Sequence, residues 1–191
     1  PLRTLIAALK GRQIIPQIEV AVGEYKNKDN LREKPQVLNK VAVVIRHLKP
    51  LCEADLLTLC NFAQEYTVEL YLQPKSVESV HKIYPKQTVE RLQYFLPDFD
   101  LTLNFHPMDF VQINGDINRQ IVSQAIRVLY LNKEDRVLDL FCGLGNFSLA
   151  IARYCREVVG VEGNDEMVKR GKENALLNNI SNAKFYKENL S

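Results

Sequence analysis

The chain has 191 residues, of which 46% are hydrophobic and 25% are charged, and its formal net charge is +2. This composition is ordinary for a soluble globular protein with one large or two small domains. The sequence contains no run of about 18 apolar residues, so no membrane span is predicted. The charge by itself is too small to indicate a nucleic-acid partner. The four cysteines show neither a CxxC pair nor metal-ligand spacing, so they predict reduced thiols in a cytoplasmic protein without a metal site.

The first 106 residues have the pattern of a small α+β domain. A helix is predicted over residues 2–10, and strands over 14–22 and 37–48 should form an antiparallel hairpin around a polar loop at 23–36. The further predicted elements are a helix over 53–66 and strands over 68–73, 79–84, 92–96 and 101–105, the last two flanking a turn at 97–100. We expect these strands to pair locally, with a helix on one face.

From residue 107 onward the pattern changes to alternating helices and strands. Helices are predicted over 114–131, 146–155 and 164–178, and strands over 136–141, 157–161 and 183–186. Alternation of this kind is typical of right-handed βαβ crossovers and a parallel sheet. The sequence therefore predicts two domains, 1–106 and 107–191.

A glycine turn after the first strand of the second domain is the strongest local signal. The apolar run 137–141 leads into Gly143 and Gly145, and Glu162 follows the next strand, 19 residues after Gly143. In such a unit the glycines let the backbone approach a nucleoside, and the acid accepts hydrogen bonds from both ribose hydroxyls. Asn189, just past the third strand, is predicted to contact the same ligand; its alternative role is to cap a turn.

Two cofactors compete for this turn. A nicotinamide site usually has a third glycine where this chain has Ser148, and a pyrophosphate would be repelled by Asp139, which precedes the turn. The ammonium group of S-adenosylmethionine would tolerate that carboxylate. The pattern favours S-adenosylmethionine over NAD, with a purely structural turn as a third interpretation.

Four motifs in order strengthen this interpretation: DFVQIN at 109–114, DLFCGLGNF at 139–147, VEG at 161–163 and ENL at 188–190. Together they resemble the RNA uracil-C5 methyltransferase family. The run RHLKPL at 46–51 and the residues around 159–163 and 185–189 are most similar to the branch that methylates U1939 of 23S rRNA. The resemblance implies a Rossmann-like α/β methyltransferase fold, here incomplete, behind a small central α+β domain that faces RNA.

The resemblance also implies roles for individual residues. The positions that match the family's cofactor contacts are Gln112, Phe141, Asn146, Glu162 and Asn189. Phe110 and Gln112 match the pocket for the target uracil, and the sequence predicts that they alternate on one face of a short strand. The alternative role of Phe110 is core packing.

The catalytic groups of the family have no counterpart in this chain. Its members use a cysteine in a Ser-Cys-Asn-Pro-like motif as nucleophile and a glutamate as base, both well after the third strand. Cys142 lies in the cofactor loop and is not expected to be the nucleophile. The related branch also carries an iron–sulfur cluster and often an N-terminal barrel, but this chain contains no ligands for the cluster. We therefore expect an inactive fragment of a longer enzyme.

The predicted function is transfer of a methyl group from S-adenosylmethionine to C5 of a uridine in 23S rRNA by a cytoplasmic, monomeric enzyme with no membrane contact. The alternatives are a tRNA uracil-54 methyltransferase, a dinucleotide-dependent oxidoreductase and an RNA-binding accessory module.

Overall fold

The computed structural model of the chain describes residues 1–27, 36–86 and 91–189. Contacts between Cα atoms divide the chain into two units, which are Pro1–Leu92 with His106–Met108, and Gln93–Phe105 with Asp109–Ser191. Within the described ranges, every helix is too short or too polar to cross a membrane.

The first unit is built on a four-stranded mixed sheet with the order β1-β2-β3-β4 in its described part. Its strands are β1 (Gln17–Asn27), β2 (Gln36–Arg46), β3 (Glu69–Gln73) and β4 (His81–Tyr84), and its helices are α1 (Leu2–Ala8) and α2 (Glu53–Glu65). β1 and β2 are antiparallel, β2 and β3 are parallel, and β3 and β4 are antiparallel. The alternate residues of β2 and β3 that face the helices form the core with Leu5, Leu9, Leu59 and Ala63.

Three predictions for this unit need correction or refinement. Residues 23–27 are strand rather than loop, because β1 and β2 pair over their whole length, from Gln17 opposite Arg46 to Asn27 opposite Gln36. β2 and β3 are neighbours in the chain and in the sheet, as expected of local pairing, but they are parallel and are connected by a crossover through α2. The first helix ends at Ala8 instead of residue 10. Residues 28–35 of the predicted loop lie outside the described part of the chain.

The second unit contains a hairpin and a three-stranded parallel sheet. The hairpin consists of β5 (Leu92–Leu96) and β6 (Leu101–Phe105). The parallel strands are β7 (Arg136–Leu140), β8 (Glu157–Glu162) and β9 (Ala183–Lys187), in that order. The helices are α3 (Gly115–Leu129), α4 (Ser148–Ala152) and α5 (Asp165–Leu177). Parallel pairing of β7 with β8 and of β8 with β9 confirms the predicted βαβ units.

Helices lie against one face of the parallel sheet. Phe185 of β9 is buried between Gly160 of β8 and Gly171 of α5, where an added Cβ would lie 2.9 Å and 2.7 Å from its ring. On the other face Leu138, Leu140 and Tyr186 are at least half exposed. The burial of this sheet is therefore one-sided within the described residues.

The hairpin clusters with the second unit, whereas the sequence-based division placed it in the first domain. Two asparagines one turn apart, Asn174 on α5 and Asn178 at its C-terminal cap, explain the difference. Asn174 and Asn178 each use their side-chain amide to pair with a backbone N–H and C=O of β6, at Asn104 and Thr102. Their amides thus take the place of a neighbouring strand along the edge of β6.

Candidate cofactor site

The cofactor turn, residues 141–147, connects β7 to α4. Phe141, Gly143 and Gly145 have φ angles of 58°, 56° and 97°. A Cβ at Gly145 would lie 3.1 Å from Leu149, so both φ and space require glycine there. Phe141 has a Cβ and a bulky ring in the left-handed region, which costs about 1–2 kcal/mol. Its side chain is nevertheless 71% exposed, so packing does not offset the strain.

Glu162 ends β8 next to this turn. Its Oε2 accepts a hydrogen bond of 3.0 Å from the N–H of Gly143, and its Oε1 accepts one of 3.0 Å from the N–H of Asn164. These bonds hold the carboxylate between the first two strand ends. Since a carboxylate has about four acceptor positions, two remain for a ligand's hydroxyl groups.

Cys142 lies within the turn, but its thiol is not expected to be reactive. The side chain is buried. Burial, together with the nearby charges of Asp139 and Glu162, raises the pKa of the Cys142 thiol to about 12. The thiol therefore stays protonated at neutral pH and lacks the thiolate that a nucleophile needs.

Asp139 and Ser148 form an internal pair on either side of the turn. The buried hydroxyl of Ser148 donates a 2.5 Å hydrogen bond to Asp139. Burial raises the pKa of Asp139, and the hydrogen bonds from Ser148 do not offset this effect. Ser148 occupies the position of the third glycine in a nicotinamide-binding motif. Its hydroxyl is thus the hydrogen-bond partner of Asp139, which precedes the turn.

The side-chain amide of Asn146 is held by two other segments of the second unit. Its Oδ1 accepts hydrogen bonds of 2.9 Å from the Tyr94 hydroxyl and 3.0 Å from Nδ2 of Asn118. Its own Nδ2 donates a 2.9 Å bond back to Asn118 Oδ1. The side chain of Asn146 is therefore anchored to β5 and α3 by bonds within the protein.

Residues 109–113, which carry Phe110 and Gln112, form no strand, so that prediction was wrong. The segment is tied down at both ends instead. Asp109 forms an ion pair of 3.0 Å with the buried Arg170, and Asn114 caps α3 by accepting a bond from the N–H of Ile117. Between these anchors Phe110 is 76% exposed and Gln112 is exposed, so Phe110 does not pack in the described core.

The predicted cofactor residues on the sheet come from one edge. The turn with Phe141 and Asn146, the end of β8 with Glu162, and the exposed Asn189 beyond β9 all follow the carboxyl ends of adjacent parallel strands. In open α/β sheets ligands bind at this edge. Among the described residues no group of three or more His, Cys, Asp or Glu side chains could hold a metal ion.

Sequence reasoning missed the residues that support this edge, namely Tyr94, Asn118, Ser148, Arg170 and Asn174. Only Ser148 carried a local signal, since it departs from the glycine pattern close to Asp139. The others are polar residues inside otherwise ordinary helices and a strand, and their partners lie up to 70 residues away along the chain.

Comparisons with known proteins give the family. The model of the family tRNA (Uracil-5-)-methyltransferase matches residues 45–189. A 23S rRNA (uracil(1939)-C(5))-methyltransferase RlmD from Hahella chejuensis (strain KCTC 2396) is 47% identical over 189 residues, which are 99% of this chain and 39% of that protein. The RlmD of Xanthomonas axonopodis pv. citri (strain 306) is 42% identical, over 100% of this chain and again 39% of the relative. The chain thus spans well under half the length of the curated relatives it matches.

A solved structure shows the same fold. The Pyrococcus abyssi tRNA (uracil-54, C5)-methyltransferase, in complex with S-adenosyl-L-homocysteine, matches with a TM-score of 0.57 and 22% identity, over 78% of this chain and 36% of that one. The likeness confirms the predicted Rossmann-like methyltransferase fold. The family model covers well over half of the residues, so this chain belongs to the tRNA (uracil-5-)-methyltransferase family.

Proposed function

We propose that the protein carrying this chain transfers a methyl group from S-adenosylmethionine to C5 of a uridine in 23S rRNA. The chain supplies the cofactor side of that reaction. The observation that carries the proposal is the Glu162 carboxylate, held at the strand ends by the N–H groups of Gly143 and Asn164 with acceptor capacity to spare.

The donor set at this edge fits the cofactor. S-adenosylmethionine, when bound, supplies the methyl group. Glu162 accepts the ribose hydroxyls, while the cofactor turn provides the Phe141 ring and the Asn146 amide. Gln112 and Asn189 complete the contacts from the segment before α3 and from the end of β9. Two conformational facts support the assignment: the strained φ of Phe141 and the exposure of its ring are typical of a binding residue.

The target base belongs, in this proposal, to Phe110 and Gln112. A uracil presented to the methyl donor must leave its stack, and an aromatic face with a polar partner offsets the cost of unstacking. Phe110 is exposed and its segment is anchored by the Asp109–Arg170 pair, so the ring is available on a fixed backbone. In this proposal the first unit contacts the RNA around the target.

No catalytic residue is assigned to the chain itself. Cys142 is not proposed as a nucleophile, because its buried thiol has a raised pKa and stays protonated at neutral pH. The curated relatives are more than twice as long as this chain, which is consistent with a nucleophile and a base elsewhere in the protein. The whole protein is proposed to act as a cytoplasmic monomer.

Calorimetry with S-adenosylmethionine tests the cofactor assignment in the natural-length protein. Glu162→Ala should weaken binding by at least about tenfold, because the lost hydrogen bonds are charge-assisted. Glu157 lies at the opposite end of β8 and pairs with Arg136 and Lys184, so Glu157→Ala is the matched control and should bind normally. Equal affinity of Glu162→Ala and wild type, or thermal protection by NAD instead of S-adenosylhomocysteine, would overturn the assignment.

Methylation assays test the RNA assignment. Phe110→Ala should lose roughly 1–3 kcal/mol of base stacking, seen as slower methylation with nearly unchanged cofactor affinity. Gln112→Ala should impair both. Tyr130→Ala, which removes another highly exposed ring at the C-terminal cap of α3, is the control. A preference for tRNA over a 23S rRNA fragment as methyl acceptor would move the protein to the tRNA branch that the family name describes.

A further inference from the structure

The hydrogen bonds of Asn146 join three segments that are remote in sequence. Tyr94 lies in β5, Asn118 in α3 and Asn146 in the cofactor turn, and Tyr94 and Asn146 are 52 residues apart. Asn118 is only 4% exposed. An amide with a reciprocal amide partner and a hydroxyl donor has one orientation in which all three bonds form, so its rotation is restricted.

This arrangement leaves one group of Asn146 available. Its Oδ1 already accepts two hydrogen bonds, and one hydrogen of its Nδ2 is used by Asn118. The second hydrogen of Nδ2 has no acceptor among the described residues. The side chain therefore keeps a single directed donor, at the edge where the ligand is proposed to bind.

The turn is also connected to the hairpin at a second point, through Asn174 of α5. Asn174 of α5 donates to the carbonyl of Leu144, two residues before Asn146, with an N···O distance of 3.1 Å. The same side chain pairs with the backbone of Asn104 in β6. Both strands of the hairpin are thus linked to the cofactor turn, β5 through Tyr94 and β6 through Asn174.

We propose that Tyr94 and Asn118 are positioning residues that orient the Asn146 amide toward the cofactor, so that the hairpin of β5 and β6 belongs to the cofactor site rather than to an RNA-facing domain. This inference rests on the proposed function. A donor that is already fixed does not have to be ordered when the ligand binds, so binding avoids that entropic cost. The effect should therefore appear in cofactor affinity.

The test uses Tyr94→Phe in the natural-length protein. The change removes one hydroxyl and keeps the ring, so S-adenosylmethionine should bind about three- to tenfold more weakly in calorimetry, with little change in melting temperature. Tyr154→Phe is the matched control, because the Tyr154 ring packs edge-on against Phe99 of the same unit and its hydroxyl has no hydrogen-bond partner in the described ranges. The control should bind like wild type.

A double-mutant cycle separates positioning from a general effect on folding. If Tyr94 acts through Asn146, Tyr94→Phe should have no further effect on affinity in an Asn146→Ala background, and Asn118→Ala should behave in the same way. Additive losses, or a Tyr94→Phe variant that melts earlier but binds normally, would overturn the inference while leaving the proposed function intact. Failure of the wild-type protein to bind S-adenosylmethionine would overturn both.

Discussion

In the first unit the buried carboxylates of Asp55 and Glu69 accept hydrogen bonds from several residues, whereas the carboxyl of Asp139 in the second unit accepts only from Ser148 among the residues that the structure describes. Asp55 accepts two 2.8 Å bonds from the N–H groups of Lys10 and Gly11. Glu69 accepts from Lys40, Lys82 and the hydroxyl of Tyr71. Among the described residues, Asp55 and Glu69 of the first unit thus have donors from two or more residues, whereas Asp139 of the second unit has donors from Ser148.

The pKa directions follow from this difference. Burial by itself would raise the pKa of both Asp55 and Glu69, but their hydrogen bonds outweigh burial and lower each pKa. For Asp139 burial prevails and the pKa is raised. Carboxyls with a raised pKa and residues with a strained backbone, such as Asp139 and Phe141, are common at functional sites, which supports a candidate site in the second unit.

The largest effect is expected for Asp55→Ala. This change leaves two backbone N–H groups without their carboxylate and should lower the free energy of unfolding by about 3 kcal/mol in urea titrations. Glu53→Ala, an exposed acid on the same helix, should cost less than about 1 kcal/mol. If the two variants were equally stable, the carboxylates of the first unit would not have the structural role described above.

Asn174→Ala should come next, at about 2 kcal/mol, because it removes three hydrogen bonds made by a fully buried amide. Thermal and urea unfolding measure the loss, and Lys172→Ala on the exposed face of α5 serves as the control. Protease cleavage should also become faster in residues 92–105 if the amide holds the hairpin. An unchanged cleavage pattern would contradict that attachment.

Phe141→Gly should raise stability by about 1 kcal/mol, since glycine adopts the left-handed conformation without strain and the lost ring is largely exposed. Cofactor affinity should fall in the same variant. Phe141→Ala keeps the strain and loses the ring, so it should lose affinity without gaining stability. A glycine variant that is less stable than the alanine variant would contradict the backbone strain assigned to this position.

The smallest effect concerns pH. A carboxyl whose pKa is raised by folding destabilises the folded protein as the pH rises from the unfolded to the folded pKa. Asp139→Asn should therefore raise the free energy of unfolding by less than about 1 kcal/mol at neutral pH and leave it unchanged at about pH 3. A carboxyl whose pKa is lowered behaves in the opposite way. The loss in Asp55→Asn should be full at neutral pH and shrink as the pH falls through the folded pKa. Parallel pH profiles for the two variants would remove the contrast between the units.

Local signals were enough to predict the parallel sheet and the centre of the candidate site. β7, β8 and β9 are short apolar runs with helical patterns between them, and the cofactor turn and Glu162 are recognisable from glycines and an acid at short range. Such features depend on the backbone of one βαβ unit, so neighbouring residues suffice to define them. Polarity misled the prediction at residues 23–27, where pairing with β2 decides the conformation.

The sequence by itself was enough to predict the helices, the parallel strands and the cofactor turn of the second unit, the family to which the chain belongs, and Glu162 as the acid at the end of β8. Only the tertiary structure decided that the hairpin joins the second unit, that Asn146 is held by Tyr94 and Asn118, and that residues 109–113 are an anchored, irregular segment. The physical reason is that hydrophobic periodicity reports local conformation, whereas a polar side chain can pair with any suitable partner. Folding selects that partner by bringing distant segments together.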